Sequence, residues 1–216
     1  MLKIILILSI VFLYSCKCEP SLKLGEFNLT VASMQFVPYT GNEILVFEDN
    51  DGFEHKLKSK VGRELKDLVM RVRTICDDGT FDKQFQYYEI QRYQIAYFDS
   101  LDKQIFYTDL TTHFEDADDL DSIAIYDLLR VSSVIDGSPN GEIEILTDER
   151  QNHLSVFYRN EMLRESDFLG DTIIYGKEFK DVFKSTTSQG KSIFYSKEKG
   201  VVAFKMTEEK YWVLKY

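Results

Sequence analysis

Four groups of residues in this chain carry side chains able to do chemistry. Residues 115–121 read Glu-Asp-Ala-Asp-Asp-Leu-Asp. The carboxylates of Asp116, Asp118, Asp119 and Asp121 are hard oxygen donors of the kind calcium takes. Their spacing departs from the EF-hand. Counted from Asp116, Asp121 stands where that loop requires glycine, and no glutamate follows at the twelfth position. On that mismatch a solvated acidic loop is the simpler reading; calcium is the ion the segment would suit, and no other cofactor is implied. Tyr87, Tyr93 and Tyr97 share one face if residues 85–98 form a strand. Such a face, if exposed, would bind a sugar or a peptide, but aromatic rings on strands more often serve as core or cross-strand pairs. His55, His113 and His153 are the candidate acid–base groups. No HExxH helix, GxSxG elbow or P-loop accompanies them, so no residue is assigned a catalytic role. A hydrolase with scattered site residues stays open, because nucleophile and base can lie far apart in sequence.

The fourth group is the cysteines. Cys16 follows a leader in which Lys3 gives a positive start and Leu2 to Tyr14 is otherwise almost wholly apolar. A short apolar core ending on a small residue fits a secretory signal. It is shorter than the roughly twenty residues a spanning helix needs. Leu13-Tyr14-Ser15-Cys16 resembles the bacterial lipobox. That resemblance implies cleavage before Cys16 and a diacylglyceryl group on its sulfur. Each buried methylene contributes about 0.8 kcal/mol, so two or three chains anchor a protein durably. The expected organisation is a signal peptide over 1–15, a lipidated tether over 16–24, and a single β-rich domain over 25–216. Cys18 and Cys76 remain, and an oxidising compartment would permit a bridge between them. Cys76 as a small buried hydrophobe is the simpler reading.

Composition bounds the rest. The chain has 216 residues, 44% hydrophobic and 29% charged, which is ordinary for a globular body. Its formal charge of −10 opposes binding to phosphate backbones, so nucleic acid is not an expected partner.

The elements that must position these groups read mostly as strands. Phe27, Leu29 and Val31 alternate with polar residues as in a half-buried strand. Ile44 to Glu48 and Phe53 to Leu57 flank Asp49-Asn50-Asp51-Gly52, a hairpin signal. Leu65, Leu68, Val69 and Val72 fit a helix, whereas Leu68, Met70 and Val72 fit a strand. Strands are expected over 85–98 and 104–112, and a strand or short helix over 123–134. Ser138-Pro139-Asn140-Gly141 reads as a break, with strands following at 142–146 and 153–158. The last part reads as a β-meander with turns at Gly176-Lys177 and at Ser196 to Gly200. Trp212 is expected to anchor the last strand in the core. The predicted fold class is mainly β: an antiparallel curved sheet, as a half-barrel or a sandwich, with at most one or two short helices.

Val37-Pro38-Tyr39-Thr40-Gly41 leading to Val46-Phe47-Glu48-Asp49 and Gly52 resembles a pattern in uncharacterised Bacteroidetes lipoproteins. Gly176-Lys177-Glu178-Phe179-Lys180-Asp181-Val182 followed by Ile193 to Phe204 is similar to such proteins as well. The shared motifs are hairpin chemistry and carry no functional residues across. Lys17-Cys18-Glu19-Pro20 lacks the dense acidic run that marks surface export in some lipoproteins of that type. The resemblance therefore implies a lipid-anchored envelope protein, in the outer membrane and facing the periplasm, whose partners are the membrane and an unidentified protein or small molecule. Its expected role is a binding or structural module, with a carrier of a lipid or other apolar ligand in a β-cavity as the alternative.

Overall fold

Asp49-Asn50-Asp51-Gly52 closes its hairpin as its residue types require. The Asp49 carboxylate accepts from the backbone N–H of Asp51 (3.0 Å) and Phe53 (2.9 Å), and Gly52 N–H bonds back to Asp49 O at 3.1 Å. The flanking strands are β2 (Ile44–Asp49) and β3 (Glu54–Ser59). The computed structural model describes residues 20–60, 62, 64–76, 84–115, 124–151 and 166–215. The other described strands are β1 (Leu22–Phe27), β4 (Glu64–Cys76), β5 (Gln84–Phe98), β6 (Gln104–Glu115), β7 (Ala124–Ile135), β8 (Ser138–Gln151), β9 (Asp167–Ile174), β10 (Lys177–Thr186), β11 (Ser192–Ser196), β12 (Gly200–Lys205) and β13 (Tyr211–Lys215). One four-residue helix, α1 (Val31–Met34), is described. The chain is mainly β, as its composition and turns led one to expect.

Internal contacts group the chain into two compact units, divided inside β4 and β5 rather than at linkers. The smaller holds residues up to Phe27 and 68–90. Here β1 runs parallel to the start of β5, with a slip between Lys23 and Gly25. Gly25 leaves room for the Tyr88 ring, and Phe27 packs on that ring at 4.9 Å.

The larger unit holds residues 28–67 and 91–216. Its strands pair antiparallel in the order β8-β7-β6-β5-β3-β2-β13-β12-β11-β10-β9, one curled sheet forming a half-barrel. One face of β5 to β8 is buried: Tyr93, Ile95 and Tyr97 on β5, Phe106 and Leu110 on β6, Leu129 and Val131 on β7, Ile143 and Ile145 on β8. Each large apolar side chain so buried contributes about 1.5–3 kcal/mol. The curl brings β8 against β11. Asn140 Nδ2 donates to Ser192 O at 2.8 Å, and a Cβ on Gly141 would lie 2.8 Å from Ile193 Cγ2. Only glycine allows that approach. The β9–β10 hairpin is held to the last strands by Tyr175 stacked on Tyr211 at 3.6 Å, and Lys177 Nζ donates to Leu214 O at 2.9 Å.

A strap over residues 28–43 fills the concave side. Val37 and Tyr39 sit in the main core. Four hydroxyls pin the strap from both halves of the sheet. Tyr93 donates to Tyr39 O at 2.7 Å, Tyr195 donates to Phe36 O, Tyr97 donates to Glu43, and Tyr39 itself accepts from Val201 N–H. The strap corrects one expectation. The alternation Phe27, Leu29, Val31 does not extend as a strand, because β1 stops at Phe27 and Thr30 caps α1. Thr30 Oγ1 accepts from Ser33 N–H at 3.1 Å, satisfying a donor that a helix start leaves free.

Two further readings change. Residues 64–76 resolve the helix-or-strand ambiguity as β4, and 124–135 likewise as β7. Ser138-Pro139-Asn140-Gly141 is not a break; it lies inside β8. The reversal comes two residues earlier, where Asp136 and Gly137 have φ of 54° and 74°, as in a two-residue hairpin turn. Pro139 is tolerated because it pairs with Val134 at a register shift, where a ladder N–H is dispensable.

The strap makes stability depend on acid. Burial pushes the Glu43 carboxyl up, but the hydroxyls of Thr40 and Tyr97 and the backbone N–H of Gly41 outweigh it and hold the carboxyl at about 2, against 4.5 unperturbed. A depressed native value means that the unfolded chain takes up the proton first. The contribution is complete above about pH 4.5 and is lost as pH falls toward about 2. Urea midpoints measured across that window should fall with pH, and Glu43→Gln should flatten the slope. An unchanged slope in the variant would contradict the assignment.

Candidate functional site

Strand β9 pairs with β10, the residue just before it still bonds to β8, and an open groove lies between β8 and β10. Ser166, just before β9, still bonds β8: its N–H donates to Glu144 O at 3.4 Å, and its Oγ accepts from Glu144 N–H at 3.1 Å. One residue later Asp167 is paired with Lys184 of β10. The groove holds about 800 Å³. One wall is Tyr107, Ser132, Ser133 and Glu142; the other is Lys184 and the run Ser185-Thr186-Thr187-Ser188.

Its polar groups are part engaged and part free. Ser132 Oγ donates to Glu142 at 3.2 Å and keeps its lone pairs. Ser166 Oγ and Thr187 Oγ1 each accept from a backbone N–H, the latter from Lys191 at 3.2 Å, and keep their protons to donate. The Ser133 hydroxyl is not among them: alternation along β7 turns it to the core face with Leu129 and Val131, and the residue is 2% exposed.

The groove continues into a charged ladder. Cross-strand pairing places Tyr107, Asp109, Thr111 and His113 of β6 on one face with Ser132, Arg130, Leu128 and Tyr126 of β7. Arg92 Nε donates to Asp109 at 2.7 Å, and Arg130 Nε donates to Glu144 at 2.9 Å while lying 3.0 Å from Glu142. The Asp109 bond holds the Arg92 proton more tightly than usual. Burial weakens the hold of Arg130 on its proton, but Glu144 outweighs it and the net direction is up. Burial, then the Arg130 charge, push His113 down, so its ring favours the neutral form. Beyond it lies a second apolar cluster of Ala124, Tyr126 and Leu128, with His113 stacked on Tyr126 at 5.8 Å.

No family model, curated protein or solved structure matches this chain. The site is therefore read from its own geometry.

The residues singled out in the sequence fall elsewhere. Tyr93 and Tyr97 are fully buried with their hydroxyls bonded to the strap, so at these two positions the aromatic face is interior. Tyr87 is half-buried and belongs to the smaller unit. Asp116, Asp118, Asp119 and Asp121 lie outside the described residues, as do Cys16, Cys18 and His153. Among the described residues no group of three or more His, Cys, Asp or Glu could hold a metal ion. His55 Nε2 lies 2.9 Å from Asp49 Oδ2, and its ring stacks at 4.0 Å on Trp212, which is 8% exposed and packs in the core. The groove residues were missed because they come from four distant stretches of chain. The one signal available was the uninterrupted hydroxyl run from Ser185 to Ser188.

Proposed function

We propose that this chain is a lipid-anchored binding module of a bacterial cell envelope, tethered through an acylated Cys16 in the outer membrane and facing the periplasm. The leader, the small residue at Ser15 and the short tether support the address. The strap packed into the concave side of the larger unit, beside an open groove, carries the choice between module and carrier. A carrier of an apolar ligand needs an empty apolar pocket of roughly 300–1,000 Å³. In the larger unit the strap, with Val37 and Tyr39, occupies the concave face where such a ligand would sit. Among the described residues an open volume on the outside is the groove, whose walls carry hydroxyls beside apolar surface. Its ligand is accordingly a polar molecule or a polar segment of one.

The address is tested by mutation in cells fed an alkyne-tagged fatty acid. The native chain should take the label and sediment with membranes. Cys16→Ala should take none and lose its membrane association. Label in the variant equal to that in the native chain would show the lipid to be elsewhere, or the leader to be an ordinary secretory one.

A further inference from the structure

We infer that the smaller unit lays one face of β4 and β5 on the lipid bilayer, with Val69 and Ile75 entering the interface and Arg71 reaching lipid phosphate. The inference rests on the lipid-anchored reading and assigns the surface by which the anchored chain meets its membrane.

Alternation builds the face. Along residues 68–72 of β4, Val69 and Arg71 are exposed while Leu68, Met70 and Val72 are half-buried. Ile75, four residues beyond Arg71, returns to the exposed side. Val69 is 55% exposed and Ile75 45%, high values for aliphatic side chains within a strand. The neighbouring β5 adds two half-buried rings to the same side. The Arg71 guanidinium lies over the Phe85 ring at 4.2 Å, and Phe85 meets Tyr87 edge-on at 5.8 Å.

Reach, charge and chemistry choose a bilayer as the occupant. Six peptide units join Cys16 to Leu22, where β1 begins, and fully extended they span about 20 Å. An acylated Cys16 therefore holds β1 close to the headgroups, and Lys23 of that strand pairs with Tyr87 of the face. The chain as a whole carries a formal charge of −10, which an anionic surface repels. On this face Lys23 is ion-paired with both Glu26 and Glu89, and Arg71 adds an exposed cation. Tyrosine favours the headgroup level, where its ring is covered and its hydroxyl wet. Arginine lays its aliphatic stem along apolar surface and takes phosphate oxygens two at a time. A protein partner would need about 800 Å² of closely complementary surface. Two aliphatic side chains set apart by a cation suit lipid better, because lipid moulds around scattered groups.

Hydroxyl-radical footprinting tests the face on the full mature chain. The acylated protein is reconstituted in vesicles of phosphatidylethanolamine and phosphatidylglycerol. The reference is the Cys16→Ala chain, made without residues 1–15 and free in solution. Oxidation at Val69, Ile75 and Tyr87 should fall several-fold on vesicles, and Phe53, exposed in the larger unit, should fall less. In the acylated variant Val69→Asp with Ile75→Asp, Tyr87 should regain the rate of the soluble chain. Both sites are exposed, so the fold should tolerate the change; if it does not, the native comparison decides alone. Unchanged rates at Val69 and Ile75 on vesicles overturn the inference, as does protection shared equally by Phe53. Protection that grows with the concentration of the soluble chain also overturns it, because a second copy is then the occupant. Should Cys16 prove unmodified, a histidine tag in its place on nickel-chelating lipid supplies the tether. Protection there upholds the face while the address falls; an acylated chain without protection overturns the face while the address stands.

Discussion

Gly200→Ala is expected to destabilise the protein by about 4 kcal/mol. Two costs act at one atom. Gly200 has φ of +78°, where an L side chain carries strain of about 1–2 kcal/mol. Its new methyl would also collide with Tyr39 at the ring edge and hydroxyl, with Cε1 only 2.7 Å away. Overpacking of a rigid ring costs about 1–3 kcal/mol. Moving the ring also breaks the bond that Tyr39 accepts from Val201 N–H, about 1 kcal/mol more. Gly176→Ala is the control. Its φ is +81°, but nothing lies within 4 Å of the added carbon, so only the backbone strain of about 1–2 kcal/mol applies. Denaturant melts should separate the two variants clearly. Equal shifts would mean that the strap does not press on β12 as described.

Asp127→Leu should cost about 3–5 kcal/mol, the usual penalty for stranding one charge of a buried pair. Asp127 has no exposed surface. Its carboxylate takes the Arg150 guanidinium, the Thr112 hydroxyl at 2.8 Å, the Ser33 hydroxyl at 2.7 Å and the Thr30 N–H at 3.4 Å. It therefore fastens the start of α1, and with it the strap, to β7. Replacing both charges, Asp127→Leu with Arg150→Met, should recover most of the loss, because neither charge is then buried alone. A double variant no more stable than the single would show that the site works through the strap contacts of Ser33 and Thr30 instead.

The sequence was legible where structure is local. The turn over 49–52 and the meander of β11 to β13 are dictated by a few adjacent residues and appear where their chemistry places them, while the turn read at Gly176-Lys177 falls one residue earlier, at Tyr175-Gly176, with Lys177 already in β10. It was not legible where distant residues decide. Leu29 and Val31 alternate like strand residues, yet Thr30 and Ser33 find Asp127 almost a hundred positions away, and a capped helix results. Pro139 signals a stop, but a register shift in β8 absorbs it. The tyrosines of β5 carry the same pattern whether they face solvent or core, and only the strap lying over them settles Tyr93 and Tyr97. Beyond the hydroxyl run from Ser185 to Ser188 the groove has no linear signature, since its walls come from distant stretches of chain that only the fold brings together.

We propose that the β body is held to the envelope by lipid and binds on its outside. Intact-mass measurement of the chain purified from its native membrane tests the tether most directly. The account predicts a mass that begins at Cys16 and exceeds the bare polypeptide by a diacylglyceryl group, with or without a further acyl chain. A mass that retains residues 1–15, or one that matches an unmodified Cys16, would contradict it.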